Sequence, residues 1–286
     1  MRRPLAFALP SVLAAGLAAC GGPAEPPGPP RLAYEVPTQP YAVYVQGDTA
    51  EVAVDAGGQM VDVTVASSAT WEMSFELTAD GAVQVTTRVT DFDASATNPM
   101  GPTQRIDEGA IDGDLVFNLS PTGVGTLVTA PDLSEEARNF VSPNAIAATF
   151  FPRLPARAVT AGDTWTDTVR IDAEEGESSI ESTSVVSYTA VGDTTVMGAN
   201  YLLVRFTSED ERYIEGTQMG MDMSQEIVGS SEGWFLWDPA RKLPTEILVN
   251  SEGDGTMEVS AAPFPLSLQA DNVTHIRLQP AEGGGM

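Results

Sequence analysis

Trp71-Glu72-Met73-Ser74-Phe75-Glu76-Leu77 alternates apolar and polar residues without a break. Successive side chains of an extended strand point to opposite faces, so this period of two marks a strand with one face on a core and the other in water. Ala79-Asp80-Gly81-Ala82 supplies turn residues, after which Val83, Val85 and Val89 form a second apolar face with Gln84, Thr86 and Arg88 opposite. Two alternating runs around a short turn read as a β-hairpin.

The pattern extends outward in both directions. Leu115, Phe117 and Leu119 alternate before Ser120-Pro121-Thr122-Gly123, and the chain returns through Leu127. Leu202, Val204 and Phe206 share one face of a later strand, and Met219, Met221 and Met223 one face of the next. Trp234 to Trp237 is continuously apolar, as in a strand covered on both sides. It turns at Asp238-Pro239-Ala240-Arg241 and comes back through Ile247 and Val249. Leu266, Leu268, Ile276 and Leu278 complete the series. Consecutive hairpins of this kind make an antiparallel meander.

One segment breaks the period. Ser134-Glu135-Glu136-Ala137 has an N-cap residue followed by two acids in the positive first turn, and Ser142-Pro143 suits a second helix start. Ile146 and Phe150 then lie four apart, on one helical face, before Pro152 and Pro155. The expected fold is mainly β. It is an antiparallel meander curved into a half-open barrel, with one or two short helices over about 133–151 covering the sheet. A single β-rich domain spans 41–279, followed by a flexible tail at 280–286.

The N-terminus reads differently. Arg2 and Arg3 precede an apolar run, Leu5 to Ala19, too short for a comfortable membrane span. Leu17-Ala18-Ala19-Cys20 resembles the lipobox of bacterial lipoproteins. The resemblance implies removal of residues 1–19 as a signal peptide, a diacylglyceryl group on the Cys20 sulfur, and a fatty acyl chain such as palmitate on the new amino terminus. Gly21 to Pro30 holds five prolines and three glycines with no apolar periodicity, so residues 20–40 form a solvated tether. Gly21 is not the Asp that commonly retains lipoproteins at an inner membrane. That places the expected protein at the outer membrane, facing the periplasm or the cell surface.

Composition narrows the partners. Forty acidic residues against 14 basic ones give a net charge of −26. Nucleic-acid binding depends on Lys and Arg neutralising phosphates, so it is not expected. The same charge is repelled by anionic membrane surfaces, which leaves attachment to the lipid. Cys20 is the only cysteine and His275 the only histidine. The usual zinc ligand sets are therefore out of reach, and no Ser-containing elbow accompanies the histidine. Alternation puts His275 beside Val273 and Arg277, as a structural or solvent-facing residue. Asp91-Phe92-Asp93 and Asp112-Gly113-Asp114 lack the ordered spacing of a calcium loop. Neither a cofactor nor a catalytic residue is expected, and the chain reads as non-enzymatic.

Leu154-Pro155, a short spacer, then Gly162-Asp163-Thr164-Trp165 opening a strand is similar to a group of uncharacterised bacterial lipoproteins. So is the later Gly233-Trp234-Phe235-Leu236-Trp237-Asp238-Pro239. Membership of that group would imply an open, strongly curved β-barrel like that of the Lol-type lipoprotein carriers, and it brings no catalytic residues. Physically, Gly162-Asp163 makes a turn and Trp165 supplies a large anchor.

The functional expectation is a lipid-anchored envelope protein that binds a lipid, acyl chain or other hydrophobic small molecule in the concave side of its sheet. Trp71, Met73, Phe75, Met219, Met221, Met223 and Trp234 are its candidate lining. Two alternatives remain. One is a structural or interaction lipoprotein docking an envelope partner, the other a hydrolase using paired carboxylates.

Overall fold

The computed structural model describes residues 31–55, 57–97, 102–175, 178–218, 221–260, 262 and 264–280. Fourteen strands follow in order: β1 (Tyr41–Asp55), β2 (Met60–Leu77), β3 (Val83–Thr97), β4 (Gln104–Asp107), β5 (Ile111–Asp112), β6 (Leu115–Leu119), β7 (Gly125–Thr129), β8 (Asp132–Leu133), β9 (Thr164–Glu175), β10 (Ser178–Val196), β11 (Ala199–Gln218), β12 (Met221–Asp238), β13 (Leu243–Val259) and β14 (Leu266–Leu278). One helix, α1 (Pro143–Thr149), and two short 3₁₀ turns complete the described elements. Mainly β is correct.

Twelve strands form one sheet along the path β7-β6-β3-β2-β1-β14-β13-β12-β11-β10-β9, with β4 added beside β3, and every pairing is antiparallel. The sheet curves without closing into a barrel. Its end strands are β7 and β9, and α1 packs against both, bridging the gap. Expected hairpins fall into place: Leu77 pairs with Val83, Phe75 with Val85, and Leu119 with Gly125. The β6–β7 and β12–β13 hairpins lie far apart in the strand order.

Alternation fails at one informative place. Val85, Thr87 and Val89 face inward, and so do Phe92 and Ala94, which have the opposite parity. The register slips between Thr70 and Trp71, where Trp71 pairs with Val89 and Thr70 with Asp91. Thr90 is an extra residue, a bulge that keeps the apolar set inward while bending the strand.

Helix starts follow the expected chemistry. Ser134 Oγ accepts from the Ala137 N–H at 3.1 Å, and Ser142 Oγ accepts from the Ala145 N–H at 3.1 Å with Pro143 in the first turn. The first of these segments makes only a 3₁₀ turn (Ala137–Asn139), leaving a single α-helix.

Curvature is set on the inner face of β12 and β13. Gly229, Gly233, Gly253 and Gly255 all point there, and Gly229 pairs with Gly253. A Cβ on Gly229 would overlap the Glu252 carbonyl oxygen, and one on Gly255 the Glu226 carbonyl oxygen. Neighbouring backbones approach so closely that only hydrogen fits, which lets the sheet curl. Phe206, across from Gly233, lies over it.

The core fills one half of the curved sheet, at the end bearing the turns 78–82, 120–124, 197–198 and 239–242; we call this the near end. Phe150 and Phe151, just past α1, insert between the strands. Phe151 meets the rings of Tyr34, Tyr44, Phe75, Phe117 and Phe150 at centroid distances of 5.1–6.4 Å. Residues 32–34 enter the same space: the Tyr34 N–H donates to Pro121 O at 3.0 Å and its hydroxyl to Pro152 O at 2.9 Å. Leu32 and Tyr34 are fully buried, so the domain begins before the expected boundary at 41.

Candidate functional site

The inner face changes character along the strands. Next to the core, Tyr44, Trp71, Met73 and Phe75 pack against Phe150 and Phe151. The cavity that Trp71 and Leu115 border with α1 is only about 10 Å³, room for a single water. Trp71 and Met73 are therefore filled core, while Phe75 packs on Phe151 and also borders an open groove beside Arg31. The aromatic pair after α1 takes the space a ligand was expected to use.

The other candidate lining residues separate from these three. Phe235 is buried opposite Val204 and Ile247, so its neighbour Trp234 points to the outer face, among Arg205, Leu248 and His275. Met223 is half-buried and pairs with Gly216 and Val259 near the far end of β12. Twelve residues at about 3.3 Å each separate it from Phe235, too far to share a cavity with the core tryptophan. Cys20, Met219 and the side chain of Met221 lie outside the described residues.

Beyond the core comes a polar belt that alternation alone did not single out. Asp48 accepts from Thr274 Oγ1 at 2.6 Å, Gln46 Nε2 at 2.7 Å and Ser67 Oγ at 3.3 Å. Asp210 accepts from Ser231 Oγ at 2.7 Å and Ser208 Oγ at 2.9 Å. Gln46 links this belt to the core by accepting from the Trp71 indole N–H at 3.0 Å. Each carboxylate has hydroxyl donors, and no cation among the described residues forms an ion pair with it. Farther on, the inner face turns apolar again: Val52, Val54, Val61 and Val63 lie across from one another and from Ala270 and Leu268. Most of these are half-buried, with no helix over them among the described residues.

The outer face of the far half is grooved and acidic. A cleft of about 850 Å³ at the far end is lined by Glu174, Ser179, Tyr213, Glu215, Ser224 and Glu258, among others. The register explains the composition, because Glu174, Ser179, Glu215, Ser224 and Glu258 form one rung across five strands. The next rung carries Asp172, Glu181, Tyr213 and Glu226. Burial and the adjacent Glu215 carboxylate, to which its hydroxyl donates at 3.2 Å, raise the Tyr213 pKa. A second cleft of about 850 Å³ continues toward the middle of the sheet past Glu209, Ser230, Glu252 and Val273. Interspersed with the acids are the exposed side chains of Val185, Val228 and Val273.

His275 Nε2 lies 2.8 Å from Glu246 Oε1 on the outer face, with no serine among the described residues in hydrogen-bond contact with the ring. No group of three or more His, Cys, Asp or Glu side chains among the described residues has metal-site geometry. No described helix is long and apolar enough to cross a membrane.

The Leu-Pro and Gly-Asp-Thr-Trp stretches have a structural role. Gly162 takes φ +88°, its N–H donates to Ala190 O at 2.7 Å, and Asp163 Oδ2 accepts from the Thr160 N–H at 2.8 Å. That backbone hydrogen bond and the Arg157 guanidinium hold the Asp163 carboxyl below its usual range. Trp165 then stacks on Tyr188 at 5.2 Å, and its indole N–H donates to Arg153 O at 3.1 Å. Arg153 is buried; its guanidinium donates to Gly123 O and its backbone N–H to the Tyr188 hydroxyl. The motif fastens the plug to the two ends of the sheet.

No protein-family model matches the chain, and no curated protein matches it. Among solved structures, the chain is similar over 86% of its length to 84% of a chain from work on cell entry of botulinum neurotoxin type C and its interaction with two ganglioside molecules. Identity is 7% and the TM-score 0.16. The binding domain of botulinum neurotoxin serotype C1 gives 7% identity and a TM-score of 0.13 over the same coverage. Likeness at this level carries no argument about fold or function.

Proposed function

We propose that this chain is a lipid-anchored bacterial envelope protein, non-enzymatic, that acts as an interaction module presenting a long sheet to a partner. The observation that carries this reading is the filled core: Phe150, Phe151 and Tyr34 occupy the side of the sheet where a hydrophobic ligand was expected. What remains open is surface. The far half of the sheet offers a grooved outer face whose acids suit a cationic partner, with Val185, Val228 and Val273 adding apolar contact. The supports for the anchor are the apolar leader, Cys20 and the proline-rich segment behind it.

A second reading keeps the hydrophobic ligand but moves it to the half-buried valines of the far inner face, Val52, Val54, Val61 and Val63. The two readings separate in one experiment. A photo-crosslinking residue is placed at Val228 on the outer face, or at Val63 on the inner face, of the full chain in its own cell. Native mass spectrometry of the purified protein runs alongside. A protein adduct at Val228 that is lost on reversing Glu211 and Glu226 to lysine supports the interaction module. A bound lipid mass with no Val228 adduct overturns it in favour of the second reading. For the anchor, Cys20→Ala should leave an uncleaved precursor; cleavage and membrane attachment in that variant would refute it.

A further inference from the structure

We infer that the near end of the sheet is the face that rests on a lipid bilayer, so that the molecule stands with its acidic far half projecting away. This rests on the lipid-anchor reading above. The partner is the interfacial layer of a membrane, and three independent observations select it.

The first is where the tether meets the fold. Arg31 bridges to Ala158, and Leu32 donates to Arg157 O at 2.9 Å, both at the near end. Cys20 is eleven residues before Arg31, and a fully extended chain covers at most about 3.5 Å per residue. The near end therefore stays within roughly 40 Å of the bilayer, while strands such as Ser178–Val196 carry the far end about 60 Å farther.

The second is exposed apolar surface at that end. Met197, at the tip of the β10–β11 hairpin, is fully exposed, and Leu77, at the end of β2, is 70% exposed. Tyr41, Val124 and Val196 are exposed at the same end. At the Leu77 tip, a groove of about 710 Å³ opens beside Arg31, walled by Val36, Pro40, Phe75 and Leu77 with Glu35 and Glu76 at its edge. Exposed apolar tips of this kind gain by entering the headgroup region.

The third is charge polarity, which decides between the two ends. The far turns also expose apolar side chains, Met60 and Phe264. Those side chains sit near Asp55, Asp62 and Glu258. In the far half of β9–β14 the described cations are Arg170 and Arg212, outnumbered by acids such as Asp172, Glu174, Glu181, Glu215, Glu226 and Glu252. Anionic headgroups repel that end. Arg31, Arg157, Arg241 and Lys242 lie at the near turns against Glu35, Glu76, Asp80, Asp163, Asp193 and Asp238, with pairs such as Lys242–Glu35 and Arg157–Asp163, so this end is only mildly acidic. The field of the whole protein thus orients it near end down.

The test uses the mature, full-length protein in vesicles of phosphatidylethanolamine and phosphatidylglycerol. If Cys20 is acylated, an introduced cysteine is the only free thiol. Spin labels at Met197→Cys and Leu77→Cys should show greater collision with oxygen than with a water-soluble nickel chelate. A label at Glu215→Cys, on the far outer face, should show the reverse. Met197→Asp combined with Leu77→Asp should lift a Tyr41→Cys label back into water without changing the circular dichroism spectrum. Water-like accessibility at all of these positions, in protein that remains vesicle-bound, overturns the inference and leaves the anchor intact. A wild-type protein that does not bind vesicles and whose Cys20 titrates as a free thiol fails the anchor reading instead.

Discussion

Phe151→Ala is the substitution that most directly tests the filled core. Phe151 is 2% exposed and meets five aromatic rings, four from separate parts of the chain and one from its neighbour Phe150. Truncating a buried phenylalanine costs about 3–5 kcal/mol in lost transfer energy and cavity formation. Each aromatic contact adds about 0.5–1.5 kcal/mol beyond area burial, but contacts to one side chain overlap and do not sum. The expected loss is therefore about 4 kcal/mol, in the middle of the single-truncation range. For a domain of this size that corresponds to a fall in Tm of roughly 8–16 °C. Urea unfolding followed by tryptophan fluorescence measures it, with Met197→Ala, at an exposed tip, as a control expected within about 0.5 kcal/mol of the parent. A Phe151→Ala protein within about 1 kcal/mol of wild type would refute the reasoning. It would mean that the aromatic plug does not hold the sheet, and that the near half of the trough is free to open for a ligand.

Three further outcomes follow from the packing and the charge. Gly233→Ala places a methyl group against the Leu248 carbonyl and the Phe206 ring, and should destabilise by about 1–3 kcal/mol or more in the same unfolding assay. Burial raises the pKa values of Tyr34 and Tyr44 and pushes that of Tyr188 up to about 12. The folded state then holds these protons more tightly than the unfolded state, so stability is complete below about pH 10 and declines above it. Tyr188 alone loses about 2 kcal/mol by pH 12, and a Tm profile flat from pH 8 to 12 would contradict the buried phenols. Finally, a net charge of −26 with few ion pairs makes self-repulsion a standing cost, so Tm should rise as sodium chloride is increased from about 10 mM to 500 mM. A falling Tm would show that the attractive pairs outweigh the repulsion.

Much of the fold was legible in the chain. Trp71, Met73 and Phe75 share a face because a strand has a period of two, and the structure buries all three. Ser142-Pro143 announced the helix start, and Gly162-Asp163 the turn, because capping and positive φ are local matters of backbone chemistry. Trp234 was misplaced for an equally physical reason. In a continuous apolar run, Trp234 to Trp237, no polar residue marks which parity faces inward. The pairing of Phe235 with Val204 and Ile247 settled it.

The sequence by itself determined that this is an antiparallel β protein with a short helical insert and a strong negative charge. These properties follow from periodicity, capping and composition, all of which act over a few residues. Only the tertiary structure decided that the near half of the inner face is filled by Phe150, Phe151 and Tyr34, that Asp48 and Asp210 belong to an inward belt, and that Glu174, Glu215 and Glu258 line one outer cleft. Those outcomes depend on register between strands far apart in the chain and on which segment reaches the concavity first. Volume and long-range pairing are properties of the packed molecule, and no local pattern encodes them.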